Sequence, residues 1–179
     1  MQMGFKTFIR SGILVASLLG LSACWESGPS LILPANSVNP LPMGTYNYYT
    51  GSFDDPSPVK LITFPGGGYI YIDEDGDAMP LLVHRIDDDW HILQIGNDSG
   101  NLYAIARRVG KRIEIYDPDC DEHVDNIPGL SRELGTCKFA TLDALVEATR
   151  LAMKRIETGE ESQPGSWFEP DDYEPLDDE

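Results

Sequence analysis

Hydrophobic and polar residues alternate in a series of short runs from Gly44 onward, and turn-forming residues separate the runs. Alternation with a period of two is typical of β-strands that bury one face. In the clearest run, RIEIYD, Ile113 and Ile115 lie on one face, and Arg112, Glu114 and Tyr116 lie on the other. We expect strands in TYNYYT (45–50), VKLITF (59–64), YIYID (69–73), MPLLVHRI (79–86), WHILQIG (90–96), LYAIARRV (102–109) and RIEIYD (112–117).

Short connections join these runs, so neighbouring strands are expected to run antiparallel. The connections PGGG (65–68), DDD (87–89) and Gly110-Lys111 are typical of hairpin turns, in which glycine supplies a positive φ. The sequence therefore predicts an antiparallel β meander of six to seven strands. It leaves open whether the meander closes into a small barrel or forms a curved sheet.

A helical period follows Phe139. Apolar or small residues recur there with spacings of three and four, which predicts one amphipathic helix that packs on the sheet. Thr141 is the expected N-cap, and Gly159 is expected to end the helix. The fold class is thus α+β. The residues on the predicted apolar face are Leu142, Leu145, Val146, Thr149, Ala152, Met153 and Ile156.

Two segments flank these elements and have the composition of unfolded chain. Residues 24–43 combine prolines with serine, asparagine and glycine, which predicts a tether leading to a single domain over 44–158. Residues 159–179 are rich in acidic residues and proline, which predicts a disordered acidic tail. Its aromatic residues favour either a short recognition motif or a segment that folds back over an apolar patch. They are Trp167, Phe168 and Tyr173.

Residues 1–23 have the three parts of an export signal. Lys6 and Arg10 make the start positive, and an apolar run, GILVASLLGL (12–21), follows. This run is too short to cross a bilayer, which takes about 20 residues of helix. Small residues then precede Cys24, as a signal peptidase requires. The leader therefore predicts an exported protein.

The end of the leader, Leu21-Ser22-Ala23-Cys24, resembles the lipobox of bacterial lipoproteins. In those proteins the cysteine is acylated and becomes the first residue after cleavage. The resemblance implies lipid attachment at Cys24 and a membrane-anchored place in the cell envelope. A plain secretory signal and a short amphipathic anchor are the alternatives. Because Trp25 and not aspartate follows the cysteine, it also implies the outer membrane, facing the periplasm.

The charge balance excludes one class of partner. The chain holds 30 acidic against 13 basic residues, a formal net charge of −17, and the leader contains only basic ones. Such an excess repels phosphate backbones, so we expect no nucleic-acid partner. It favours solubility and the attraction of basic proteins. The sequence assigns no cofactor and leaves the oligomeric state open.

Cys120 and Cys137 remain as an even pair once Cys24 is assigned to the lipid. In an oxidising compartment such a pair predicts a structural disulfide, which is worth about 3 kcal/mol for a loop of this length. The spacing is far from the Cys-x-x-Cys of redox-active pairs. Only His123 lies near enough to support a zinc site, so a zinc site is not favoured.

Acidic and histidine clusters give weaker candidate sites. The segment DEDGD (73–77) lacks the glycine and glutamate that an EF-hand loop needs further along. DPDCDEHVD (117–125) is the better cation candidate, although a solvated loop explains it as well. Its carboxylates of interest are Asp119, Asp121 and Asp125. His84 and His91 lie on successive predicted strands beside the DDD turn, which suggests a proton-transfer site.

Three functions fit these patterns. The first is a non-enzymatic protein-binding or accessory module of the envelope, acting toward a basic partner such as a lysozyme. The alternative is a carrier whose curved sheet holds a small apolar ligand among aromatic residues. The third is an enzyme that uses His84, His91 and nearby aspartates. No Gly-x-Ser-x-Gly motif or phosphate-binding loop supports the enzyme class.

Overall fold

The computed structural model describes residues 25–51, 56–97, 100–120, 124, 126–133, 135–160 and 163–171. Within these ranges the chain forms an 11-stranded sheet, a short 3-10 helix (Pro34–Asn36) and one α-helix. The elements are β1 (Trp25–Ser27), β2 (Gly44–Thr50), β3 (Ser57–Thr63), β4 (Tyr69–Ile72), β5 (Ala78–Arg85), β6 (Trp90–Asn97), β7 (Gly100–Val109), β8 (Arg112–Tyr116), β9 (Leu130–Glu133), β10 (Thr136–Phe139), α1 (Leu142–Thr158) and β11 (Ser166–Pro170).

The strands β2 to β8 form the predicted antiparallel meander, in which each strand pairs with the next. β11 pairs with β8 on one side and with β2 on the other, and this closes an 8-stranded barrel. The predicted α+β class is confirmed, and of the two arrangements left open the barrel is correct. The predicted strand count is too low, because β1, β9, β10 and β11 were not expected.

The prediction that residues 159–179 form a disordered tail is wrong for Ser166–Pro170. Phe168 lies opposite Tyr48 on β2 and opposite Ile113 on β8, so the segment completes the barrel wall. Its short alternation, with Phe168 inside and Trp167 outside, is hidden among acidic residues and prolines. Pairing along both edges stabilises a strand whose own composition does not favour one.

The predicted tether over residues 24–43 is also packed against the domain in its described part. Trp25, which is 1% exposed, begins a strand that lies between β7 and β10, antiparallel to the first and parallel to the second. Further along, Leu41 exchanges two hydrogen bonds of 2.7 Å with the Tyr69 hydroxyl. Side-chain partners of this kind satisfy the backbone where prolines prevent a regular strand.

Two hydrophobic clusters divide the domain. One fills the barrel with aromatic and aliphatic side chains that alternate inward along the strands. The other lies between the outer wall of β5 to β8, the β1–β10–β9 extension and α1. Ala104 and Ala106 of β7 face the first cluster, while Tyr103 and Ile105 face the second. The wall formed by β7 is therefore buried on both faces.

The helix α1 agrees with its sequence pattern. The Thr141 hydroxyl accepts a hydrogen bond of 3.2 Å from the backbone N–H of Ala144, and Gly159 ends the helix at φ 75°. Leu145 is fully buried against the outer cluster, as its place on the apolar face predicts. The helix covers apolar barrel wall that water would otherwise reach, which accounts for its one-sided pattern.

The predicted disulfide is present and joins Cys120 to Cys137, with a Cα–Cα distance of 5.4 Å. Cys137 lies on β10 directly opposite Trp25 of β1. The bridge thus ties the chain that leaves β8 to the strand beside the N-terminal segment. This link holds the side extension against the barrel wall.

Candidate functional site

The two ends of the barrel differ in charge. Because the strands are antiparallel, β2, β4 and β6 end and β3, β5 and β7 begin at one end of the barrel, which we call the acidic end. In the sequence, the connections between these strands are residues 51–56, 73–77 and 98–99. Each of these connections contains aspartate, and none contains lysine or arginine. The opposite end mixes both signs, since Arg108 lies 3.6 Å from Asp89 in an ion pair there. The turn 73–77 at the acidic end therefore carries only negative side chains, whereas the opposite end carries charges of both signs.

Three polar side chains form a ring segment just inside the acidic end. Ser166 of β11 lies opposite Thr50 of β2, and the N–H of Gly165 donates to the Ile115 carbonyl of β8 at 3.0 Å. Asp117 follows Ile113 and Ile115 with the same inward alternation. Ser166 thus pairs with Thr50 on one side and with Ile115 on the other, and Asp117 lies two residues beyond Ile115, nearer the acidic end.

Asp117 is a half-buried carboxylate without a compensating partner. Its Oδ1 atom is buried and makes no hydrogen bond within the described part of the chain. Burial raises the pKa of Asp117 above its ordinary value, and no attractive charge offsets this effect. A Cβ atom at Gly165 would approach Oδ2 to 3.4 Å, so glycine keeps that side of the carboxylate open. Such an arrangement costs folding free energy unless a cation binds.

Two tyrosines lie below this ring. Tyr71 is 2% exposed, and its hydroxyl has no hydrogen-bond partner among the described residues. Burial raises its pKa far above the ordinary value, with further upward contributions from Tyr48 and the carboxylates of Asp73 and Glu74. Burial also raises the pKa of Tyr48, an effect that a hydrogen bond with Ser166 opposes and Asp117 reinforces. These groups are thus close enough to interact electrostatically across the mouth.

The barrel interior has little free space. A cavity of about 30 Å³ lies toward the acidic end, where Tyr48, Tyr71 and Ser166 contribute its polar lining. A second cavity of about 20 Å³ lies toward the opposite end beside His91 and Arg108. Each volume is near that of one or two water molecules and is far below a typical small-molecule site. The interior is therefore a packed core with a small pocket under its acidic mouth.

The structure separates the two histidines that the sequence placed together. On β5 and β6, His84 lies opposite Ile92, and His91 lies opposite Arg85. His91 faces the barrel interior beside Arg108, whereas Ile92 belongs to the outer cluster, so His84 faces outward. Side chains on opposite faces of a sheet cannot share a proton or a metal ion. The predicted His84–His91 proton-transfer site is wrong for this reason.

The other predicted site residues are scattered. Asp119 is exposed, while Asp121 and Asp125 lie outside the described residues. Within the described part of the chain, no group of three or more His, Cys, Asp or Glu side chains is arranged to hold a metal ion. Cys24 also lies outside the described residues.

The aromatic residues of the predicted tail do not form a free recognition motif. Phe168 is buried in the barrel, and Tyr173 lies outside the described residues. Trp167 packs on the outer surface, where its ring stacks on Tyr49 at a centroid distance of 5.2 Å. The Arg112 guanidinium lies 4.4 Å from the same ring. Trp167 is therefore held between two side chains of the barrel itself.

The residues of the acidic mouth were missed by sequence reasoning, although one signal was available. The alternation of RIEIYD places its last residue, Asp117, on the same face as Ile113 and Ile115. Thr50 and Ser166 reach the same opening only through the pairing of β2 with β11. That pairing was hidden by the composition of the C-terminal segment.

No family model, curated protein or solved structure matches this chain. Among the described residues, no helix has the length and apolar character that crossing a membrane requires. The leader, the charge distribution and the barrel mouth are therefore the features of this chain that bear on its function.

Proposed function

We propose that this chain is an envelope lipoprotein, acylated at Cys24, that binds a basic protein partner and catalyses no reaction. One observation carries the partner-binding part of the proposal. At the acidic end, β2 to β7 are joined in pairs by connecting sequences that contain aspartate and no lysine or arginine, while the opposite end carries charges of both signs. A concentrated field of one sign attracts and orients a partner of the opposite sign.

The packed interior favours a protein partner over an apolar cargo. Eight-stranded barrels that carry ligands keep an open interior, whereas here Tyr69, Tyr71 and Phe168 fill the space. The remaining cavities of about 30 and 20 Å³ are too small for a lipid or an aromatic metabolite. The carrier alternative has less support for this reason, and separation of the histidines removes the basis of the enzyme alternative.

The membrane part of the proposal depends on the lipobox, and the position of Trp25 adds a geometric consequence. Trp25 is buried between β7 and β10, and Cys24 is bonded to it. An acyl group on Cys24 would therefore join the folded domain directly, without a flexible tether. Two or three acyl chains give lasting attachment, since each buried methylene contributes about 0.8 kcal/mol. Trp25 after the cysteine favours the outer membrane, facing the periplasm.

Lipid attachment is tested by growing cells that produce the chain with radiolabelled palmitate. We expect label and membrane retention in the unchanged chain. Both should be lost in Cys24→Ser. The variant Cys120→Ser/Cys137→Ser is the control, because it removes the other cysteines and should keep the label. Labelling that survives Cys24→Ser contradicts the proposal.

Partner binding is tested with the full chain in detergent micelles and a basic lysozyme as the probe. The proposal predicts saturable binding that weakens steeply between about 0.05 and 0.5 M salt, because the Debye length falls below about 10 Å in this range. Acetylation of the lysozyme amines, which removes the charge of its lysines and keeps that of its arginines, should weaken binding. Lysozyme is one candidate from a class, so a panel of basic envelope proteins extends the test. Absence of charge-dependent binding across the panel contradicts the proposal.

A further inference from the structure

The acidic mouth contains polar atoms that the fold itself does not use. Thr50 Oγ1, Tyr71 OH and Asp117 Oδ1 are each buried, and each has no hydrogen-bond partner within the described residues. A buried polar group without a partner costs about 1–3 kcal/mol. Thr50 lies opposite Ser166, Asp117 lies close enough to Tyr48 to raise its pKa, and Tyr71 lines the cavity beneath Ser166. Their concentration at one opening of the barrel points to a group that arrives from outside.

The chemistry of these atoms selects a cation. A carboxylate only accepts hydrogen bonds, and hydroxyl oxygens accept as readily as they donate. An arriving group that only donates, such as guanidinium or ammonium, would satisfy all three atoms. An anion is repelled by Asp117 and by Asp73, which lies close enough to raise the pKa of Tyr71. A purely apolar group would leave the buried oxygens without partners.

The small cavity limits the ligand to the end of a side chain. Its volume of about 30 Å³, near that of one or two water molecules, is bordered by apolar residues below the polar ring, among them Leu93, Ile95 and Ile115. A planar guanidinium also matches a carboxylate with two parallel hydrogen bonds, which an ammonium cannot form.

We propose that Thr50, Tyr71 and Asp117 form a binding site for one cationic side chain, preferably arginine, of the basic partner. The inference deepens the proposed function and relies on it for the source of that side chain. Asp117 binds the guanidinium at the rim of the barrel. The Thr50 and Tyr71 hydroxyls accept its remaining N–H groups, and the surrounding aspartates steer the partner toward the opening.

The site is tested by NMR on the isotope-labelled full chain in detergent micelles, with N-acetyl-arginine amide as the probe. We expect saturable shifts of backbone amides beside the ring, such as those of Gly51 and Ser166. N-acetyl-citrulline amide has nearly the same shape without the charge and should bind at least about tenfold more weakly. Equal binding of the two probes, or shifts at the opposite end only, would overturn the proposal.

Matched variants locate the binding atoms. Asp117→Asn removes the charge and should weaken the arginine probe by about tenfold or more, and Tyr71→Phe should weaken it by a smaller factor. Asp89→Asn removes a carboxylate at the opposite end of the barrel and should change nothing. Unchanged affinity in Asp117→Asn, or equal loss in Asp89→Asn, contradicts the inference. Chemical shifts elsewhere in the spectrum verify that each variant is folded.

The same variants separate this inference from the proposed function. If a basic lysozyme binds the unchanged chain and Asp117→Asn equally well, the charge-driven function stands and the side-chain site is wrong. If the arginine probe binds at the mouth while no basic protein binds, the site stands and its assignment to a protein partner is wrong. If Asp117→Asn binds neither the arginine probe nor the basic lysozyme, the result supports both the side-chain site and the proposed function.

Discussion

The rings of Phe168 and Tyr48 lie 4.9 Å apart inside the barrel, on neighbouring strands from opposite ends of the domain sequence. Phe168 belongs to β11, which closes the barrel, and Tyr48 belongs to β2, which begins the meander. The contact between these two rings joins the last strand of the barrel to the first. The C-terminal segment is therefore part of the folded core, and the acidic mouth exists only because it is in place.

Removal of the Phe168 ring tests the closing role of β11. We expect Phe168→Ala to lower the free energy of unfolding by about 3–5 kcal/mol, as for other buried aromatic rings. Trp167→Ala is the matched control on the same strand, since its ring packs on the outer surface and should cost less, about 1 kcal/mol. Urea unfolding followed by circular dichroism measures both. Equal losses in the two variants would contradict closure by β11.

A glycine in the β3–β4 turn tests whether residues 25–43 pack on the barrel. Gly67 has φ 121°, and a methyl group there would overlap the Pro34 carbonyl oxygen and approach that of Ser37 to 2.9 Å. Gly76 also has a positive φ, 86°, but a methyl group there meets no atom within 4 Å. Backbone strain should cost Gly76→Ala about 1–2 kcal/mol, and Gly67→Ala clearly more. Thermal unfolding of both variants measures these losses of stability. Similar losses in the two variants would mean that the N-terminal segment is detached from the barrel.

Protonation of His91 is expected to lower the stability of the folded chain in mild acid. Burial lowers its pKa below the ordinary value, and Arg85 and Arg108 add to this, while Asp87 and a hydrogen bond to the Asp89 carbonyl oppose it. The unfolded chain therefore takes up the proton first, at a pKa of about 6.5. Stability from neutral His91 is complete above that pH and is lost as the pH falls from there to the lowered pKa of the folded state.

The test compares the pH dependence of unfolding in variants. We expect His91→Gln to remove part of the decline between about pH 7 and pH 5, whose slope is at most about 1.4 kcal/mol per pH unit for one proton. His84→Gln is the control on the outer face. Its pKa is lowered by partial burial alone, so its effect should be smaller. Curves for His91→Gln and the unchanged chain that run parallel would contradict this assignment.

Replacement of Asp117 by asparagine is expected to raise the stability of the chain and to weaken its binding of the arginine probe. Its raised pKa means that ionisation destabilises the folded state, so stability falls as the pH rises through the pKa values of the unfolded and folded chain. Asp117→Asn should therefore gain on the order of 1 kcal/mol at pH 7 and nothing near pH 3, where the carboxyl is protonated. Asp75→Asn, at an exposed position, should be neutral throughout. A loss of stability in Asp117→Asn at pH 7 counts against an unpaired carboxylate.

The meander, the helix and the disulfide could be predicted because each has a local signal. Alternation marks β2 to β8, Thr141 and Gly159 mark the ends of α1, and Cys120 with Cys137 is the even pair left after Cys24. Such signals depend on neighbouring residues in the chain. They are therefore visible without knowledge of the fold.

The closing strand and the N-terminal strand could not be predicted because their stability comes from distant residues. Ser166–Pro170 is held by hydrogen bonding to β2 and β8, and Trp25–Ser27 by β7 and β10. Proline, glycine and acidic residues around both segments favour unfolded chain in isolation. The mouth residues Thr50 and Asp117 lie on either side of β11, so the candidate site depends on this closure and could not be predicted either.

Site-specific photo-crosslinking in living cells tests partner binding at the acidic end most directly. A photoreactive residue would replace Asp75 in the β4–β5 turn of the acidic end or, as the matched position, Asp88 in the β5–β6 turn of the opposite end. Both side chains are exposed. We expect position 75 to form an adduct with a basic envelope protein that disappears in Asp117→Asn, and position 88 to form none. Adducts of equal yield at both positions, or an acidic partner at position 75, would contradict the proposed function.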